Sequence, residues 1–186
     1  MVKRSKYQIM MELSLKSFSL LSCVLLTGLS AGLFCAWSIS VIPGTLRVDD
    51  GTYLTTMQSI NRAILNPLFF VVFLGTAAFQ ALAGISHFQS NQTTFLIIMA
   101  AILIYLIGTI GVTGLGNVPL NNQLDTLNIL ETTAEKLTAF RENYEQQWNR
   151  WHQIRTICAL LSFALTALAL YSGAKPDTLQ KAAQLP

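Results

Sequence analysis

Trp148, Trp151, His152 and Arg155 recur at three- and four-residue steps. On a helix that spacing puts side chains on neighbouring turns of one face. An imidazole beside a guanidinium pairs a proton acceptor with a group that can hold an oxyanion. Indole rings add flat apolar walls. Asn117-Val118-Pro119-Leu120-Asn121 contributes two amides, and Asn61, Arg62 and Asn66 contribute two more and a second guanidinium. His152 is the expected general base, and Arg155, or Arg62, the expected stabiliser of an enolate or oxyanion. Asn61, Arg62, Asn66, Asn117, Asn121, Trp148 and Trp151 would bind a flat ligand with polar edges. No cysteine or carboxylate pair has metal-ligand spacing, and no glycine-rich phosphate loop follows a strand. Neither a metal nor a cofactor is therefore expected.

The same residues admit a plainer reading. All of them border long apolar runs, where tryptophan sits at the headgroup level and arginine snorkels to water. An aromatic belt would place each side chain against lipid separately. A site requires them to face inward together, with Asn61, Asn117, Asn121 and Arg155 hydrogen-bonded to one another.

The elements that must position them are membrane spans. The chain has 186 residues, of which 52% are hydrophobic and 11% charged, against roughly 25% charged in an average soluble domain. No Asp, Glu, Lys or Arg occurs in 17–42, 63–124 or 156–174. About 20 apolar residues cross a bilayer, so spans are expected at about 17–42, 67–86, 93–116 and 156–173. The fold class is an all-α, membrane-spanning four-helix bundle forming one integral membrane domain over 1–186. Outer loops of about 43–66 and 117–155 join spans one to two and three to four, and both are helical. Tyr53, Leu54, Met57, Ile60, Ile64 and Leu65 give the first loop an amphipathic helix, which Asp49 or Asp50 would cap. Asn66-Pro67 reads as N-cap and first residue of span two. Pro43-Gly44 should end span one. Val118-Pro119 should stop span three, with Asn117 capping a new helix striped by Leu120, Leu124, Leu127 and Leu130. No glycine or proline lies between Leu120 and Tyr171, so a helix from roughly 133 to 171 should run unbroken into span four. Gly28-Leu29-Ser30-Ala31-Gly32 would let helices approach closely, inside the bundle or at a homodimer seam.

The basic residues Lys3, Arg4, Lys6 and Lys16, with Lys175 and Lys181, favour both termini in the cytoplasm, and a bacterial inner membrane is the expected location. The net charge of +3 makes no case for nucleic acid. Cys23, Cys35 and Cys158 lie inside apolar runs and are expected to be free packing groups. Expected partners are membrane lipids, a small aromatic or quinone-like ligand, and a second copy or partner membrane subunit.

Asn61-Arg62 with Asn66-Pro67, then Asn117-Val118-Pro119-Leu120-Asn121, then Trp148, Trp151 and Arg155, in that order, resembles the anthrone oxygenase-like family. The resemblance spans nearly the whole chain. It implies a four-helix integral membrane protein whose characterised relatives oxidise anthrones to anthraquinones with dioxygen. It thus implies an oxygenase that needs no cofactor and acts on a polycyclic phenolic substrate at an outer-face pocket. Many members of that family carry asparagine where this chain has His152, which argues against a histidine base common to all. The alternative is a membrane scaffold or binding protein, without turnover, for a quinone, lipid or partner subunit.

Overall fold

A computed structural model describes residues 6–173, with side chains from residue 15 onward. Lys3, Arg4, Lys175 and Lys181, invoked for orientation, lie outside the described residues. Among the described residues every regular element is a helix. In chain order these are α1 (Lys6–Ala36), α2 (Ile42–Thr45), α3 (Asp50–Ala63), α4 (Pro67–His87), α5 (Gln92–Ile104), α6 (Val118–Asp125) and α7 (Ala134–Gly173). Turns of π-helix, Trp37–Val41, Tyr105–Gly111 and Thr113–Asn117, join α1 to α2 and α5 to α6. Four continuous rods result: Leu15–Thr45, Pro67–His87, Gln92–Asp125 and Ala134–Gly173, each long and apolar enough to cross a membrane. The molecule is an all-α integral membrane protein.

Side-chain caps fix where helices begin. Asp49 Oδ1 accepts from the Thr52 N–H at 2.9 Å, Asn66 Oδ1 from Phe69 at 3.0 Å and Asn91 Oδ1 from Thr94 at 3.0 Å. Each satisfies a donor that the first helical turn leaves orphaned. The amphipathic α3 and the Asn66-Pro67 boundary follow the expected pattern.

The prolines behave otherwise. Neither Pro43 nor Pro119 stops its span at once. The N–H of Ile42 bonds to Trp37 O, and the N–H of Val118 bonds to Thr113 O, both five residues back. A π turn thus stands immediately ahead of each proline. It widens the helix, so the carbonyl four residues earlier need not press on the pyrrolidine ring. Asn117 consequently stays in helical geometry and caps nothing. The second expected helix ends at Asp125, and Leu130 is 97% exposed, not part of an apolar stripe.

Three layers of core hold the rods together. At one end Leu20, Cys23, Ala83, Ile98 and Ala169 pack. In the middle are Ala31, Phe34, Phe73, Tyr105 and Ala159. Beyond the other end, α3, α6 and the first half of α7 form a lobe around Tyr53, Leu54, Met57, Leu120, Leu124, Tyr144 and Trp148. Inside the bundle Gln80 ties all four rods. Its Nε2 donates to Ser162 Oγ at 2.8 Å and Thr27 Oγ1 at 3.2 Å, while Ser162 Oγ donates to Ala101 O at 3.0 Å. Gly28 abuts Phe163 of α7, which accounts for it within the bundle, and Gly32 meets open space.

The third and fourth rods approach closely because the third lacks side chains where they meet. A Cβ at Gly108 would overlap Cys158 Sγ, and one at Gly116 would overlap the Trp151 indole. Gly108→Leu should therefore lower the thermal unfolding midpoint in detergent, equivalent to about 1–3 kcal/mol of overpacking. An unchanged midpoint would mean that α7 can step back freely.

The lobe is strapped by Arg141, which donates to Val48 O, Thr45 O, Asp50 and Glu145 and lies 4.4 Å over the Tyr53 ring. The Thr138 hydroxyl, then Arg141, holds the Asp50 carboxyl below its usual pKa. Stability from this contact is full above the ordinary carboxylate value of about 3.9 and disappears as pH falls through the lowered folded value. Asp50→Asn should flatten the acid limb of the unfolding curve. A curve with the same acid limb in both proteins would assign acid sensitivity elsewhere.

Candidate functional site

Where the bundle meets the lobe, five helices and two π turns converge. Trp148, His152 and Arg155 occupy α7 at steps of four and three, and all are buried. The Trp148 and His152 rings stack at 5.1 Å and 10°. Across from them the end of the first rod presents Phe34, Trp37 and Ser38, the last two inside the π turn. Trp37 lies tilted on Trp148 at 5.8 Å, and Phe34 meets His152 edge-on at 6.2 Å. Phe34, Trp37, Trp148, His152 and Arg155, together with Asn61 and Arg62 of α3, Phe69 and Phe73 of α4, and Thr113 and Asn121 of the third rod, wall a cavity of about 270 Å³.

The centre of the wall is Arg155. It is 8% exposed, and no carboxylate pairs with it among the described residues. Its Nε and Nη2 donate to His152 Nδ1 at 3.2 and 3.1 Å, and Nη1 reaches Thr113 Oγ1 at 3.4 Å. The guanidinium carbon lies 4.8 Å from the Phe34 ring centre and 5.1 Å from that of Trp148. Ring faces and neutral acceptors spread a cation's charge but do not cancel it.

These bonds determine where the imidazole proton sits. A guanidinium only donates, so Nδ1 must present a lone pair. Nε2 faces Ser38 Oγ at 3.0 Å and Thr156 Oγ1 at 3.3 Å. Ser38 spends its hydroxyl proton on Phe34 O at 3.2 Å, and Thr156 spends its own on His152 O at 2.7 Å. Both oxygens therefore accept from Nε2–H. His152 is the neutral Nε2–H tautomer, with its basic nitrogen covered by Arg155.

The asparagines form a second network, bridged by rings. Asn121 Oδ1 accepts from Trp148 Nε1 at 2.8 Å and from Tyr144 OH at 3.2 Å, and Asn61 Nδ2 donates to Tyr144 OH at 3.2 Å. Asn117 Nδ2 donates to Trp148 O at 3.1 Å, while its buried Oδ1 has no partner among the described residues. The direct bonding expected among Asn61, Asn117, Asn121 and Arg155 is thus absent there. Tyr144 and Trp148 stand between them.

Not every expected site residue reaches the cavity. Asn61, Arg62, Asn121, Trp148, His152 and Arg155 line it. Asn66 is spent on capping α4 and Asn117 on the α7 backbone, and neither is in the wall. Trp151, at 36% exposure, turns away and lies on Gly116. Conversely, Ser38, Thr156, Tyr144, Thr113 and the Phe34–Trp37 pair escape sequence reasoning. Trp37 carried a usable signal, since it is the chain's remaining tryptophan and stands beside a proline-ended apolar run. Ser38 and Thr156 carried none, because single hydroxyls are common in apolar helices.

A family model described as anthrone oxygenase matches residues 55–165. The chain belongs to the anthrone oxygenase family. No curated protein and no solved structure matches it. The anthrone oxygenase match takes in most of α3, α4, the third rod and most of α7, hence every sequence-expected site residue. Phe34, Trp37 and Ser38 lie ahead of the matched stretch.

Trp148→Phe keeps the ring but leaves Asn121 Oδ1 short of its best donor. It should cost about 1–3 kcal/mol of stability and release Tyr144, seen as a new hydroxyl environment in ultraviolet resonance Raman spectra. Trp151→Phe should leave that Tyr144 signal unchanged. Equal effects from both variants would dissolve the Asn121 network.

Proposed function

We propose that the cavity binds a hydroxylated polycyclic ketone of the anthrone type as its anion and that the protein oxidises it with dioxygen to the quinone. The observation that carries this reading is Arg155, a buried guanidinium with no carboxylate partner among the described residues, on the wall of an aromatic-sided cavity. Such a charge lowers the energy of an oxyanion far more than water-exposed arginine does. The family match supports the same substrate class.

The chemistry balances with dioxygen alone as oxidant. An anthrone has a CH2 between two rings, opposite its carbonyl. Loss of one of those protons puts the negative charge on the carbonyl oxygen, where Arg155 can hold it. The carbanion carbon forms a C–O bond to dioxygen, giving a hydroperoxide once a proton returns. The second C–H then breaks, its electrons forming the new C=O as the O–O bond cleaves, and water leaves. One oxygen atom ends in the quinone and the other in water.

His152 takes the first proton only after Arg155 lets go of Nδ1. The substrate oxygen is the natural competitor for that guanidinium. As Arg155 turns to the substrate, Nδ1 is uncovered, while Ser38 and Thr156 keep the remaining proton on Nε2. Base and oxyanion clamp are in this way engaged by one event. Trp37 and Trp148 supply faces for the rings, and Asn121 and Asn61 supply polar edges.

A second reading has its own support. With Nδ1 covered, the resting protein exposes no free base, which suits a ligand held without turnover.

Purified protein in detergent should speed the oxidation of a hydroxylated anthrone, followed by the quinone's visible absorbance. Arg155→Met should lower the rate by about 10²–10³, and His152→Ala by roughly 10². Trp151→Phe should stay near the parent rate. An unchanged rate in His152→Ala would remove it as the base. Binding of the quinone with no acceleration by the parent protein would select the second reading.

A further inference from the structure

We infer that the cavity is loaded sideways from the bilayer, through the gap between the start of α4 and the π-turned half of the third rod, by a neutral, lipid-dissolved aromatic. This rests on the cavity being an aromatic site. A residue that both walls a cavity and meets the exterior marks an opening. Phe70 of α4 and Val118 of the third rod are each 41% exposed, and Leu65, just ahead of α4, is 65%. Phe70 and Val118 belong to two different rods long and apolar enough to span a membrane, so an opening between them faces lipid.

The packing explains why the gap is there. Near their other ends α4 and α5 share the Ala83–Ile98 core. Tyr105 OH donates to Phe73 O at 3.0 Å. No hydrogen bond joins these rods beyond that point among the described residues. The π turns follow, and the third rod goes on to pack against α7 and the lobe.

A path of ring contacts leads inward from the gap. Phe70 meets Phe69 at 5.5 Å, Phe69 stacks on Phe73 at 5.1 Å and 15°, and Phe73 meets Phe34 at 6.2 Å. Phe34 lies beneath Arg155. A flat ring system can pass from lipid to the guanidinium with an aromatic neighbour at every step. The water side instead carries charge: Arg62 Nε donates to Asp125 Oδ1 at 2.6 Å, and this exposed ion pair belongs to the cavity wall. The ligand class therefore narrows. It is neutral and membrane-soluble on arrival, and it ionises only beside Arg155.

The test uses the full chain in liposomes and a hydroxyanthraquinone as probe. Quenching of tryptophan fluorescence, from Trp37 and Trp148 at the wall, is followed by stopped flow. At constant total probe, added lipid should slow quenching in step with the probe's falling mole fraction in the membrane. Val118→Phe, which narrows the gap, should slow loading about tenfold. Phe70→Ala, which widens it, should quicken loading, and Asp125→Asn, which breaks the water-side ion pair, should not. Loading that follows aqueous probe concentration, or that Asp125→Asn quickens while Phe70→Ala and Val118→Phe do nothing, overturns the sideways route but leaves the aromatic site standing. No quenching in any protein, parent included, removes the site itself and the route with it.

Discussion

Arg155 is buried without a counter-charge among the described residues, and the rest of the pocket end is arranged around that fact. A lone cation out of water is costly, and removing it from the bilayer's reach of water makes the cost larger. The chain offsets it with what neutral groups can give: two ring faces, one threonine oxygen and the lone pair of His152. The lone pair faces Arg155 only because Ser38 and Thr156 have committed their own protons to carbonyls and can do nothing but accept at Nε2. The first rod and α7 therefore fix the state of one imidazole. What remains is a positive potential with no carboxylate bonded to it among the described residues, pointed into a cavity walled largely by rings and aliphatic side chains. An anion with a flat apolar body satisfies both halves of that description.

The scaffold serves this arrangement by letting helices run close and late. Gly108 and Gly116 draw the third rod against α7, which brings Thr113 and Asn121 to the site. Gln80 and its hydroxyl partners pin the membrane part of the bundle, where alternatives to hydrogen bonding are few. The lobe closes over the top through Tyr53, Leu54 and Met57, strapped down by Arg141. Trp148 belongs to both regions. Its ring is part of the lobe core and also the stacking surface for His152, so lobe and site share one structural member.

Much of the fold was legible in the sequence because bilayers impose coarse rules. Charge-free blocks marked the rods, Asn66-Pro67 marked a helix start, the apolar steps from Tyr53 to Ile60 marked α3, and the absence of breakers marked α7. The errors share a cause. Pro119 reads as a stop only if the helix ahead of it is α-helical, and a π turn has no residue pattern of its own. Trp151 was grouped with Trp148 because three-residue neighbours lie on adjoining turns. Yet Trp148, His152 and Arg155 lean toward α1, whereas Trp151 leans toward the third rod, where Gly116 leaves it room. Of the candidate cavity's wall, His152, Arg155, Trp148 and Asn121 were legible in the sequence. Its supporting hydroxyls were not, since a serine in an apolar run looks the same whether it orients an imidazole or closes on its own backbone.

The π turns carry one further meaning. Each adds a residue to the helical repeat and so advances everything after it by about 100° around the axis. The third rod is in effect two screws of different phase cut on one shaft. Its α5 thread is set by neighbours in the hydrocarbon, and its α6 thread by the lobe and the cavity. Residues can therefore change along the first thread without turning Asn121 or Leu124 off their targets. The membrane part of the third rod and its cavity end are thus set by different neighbours while sharing one unbroken helix.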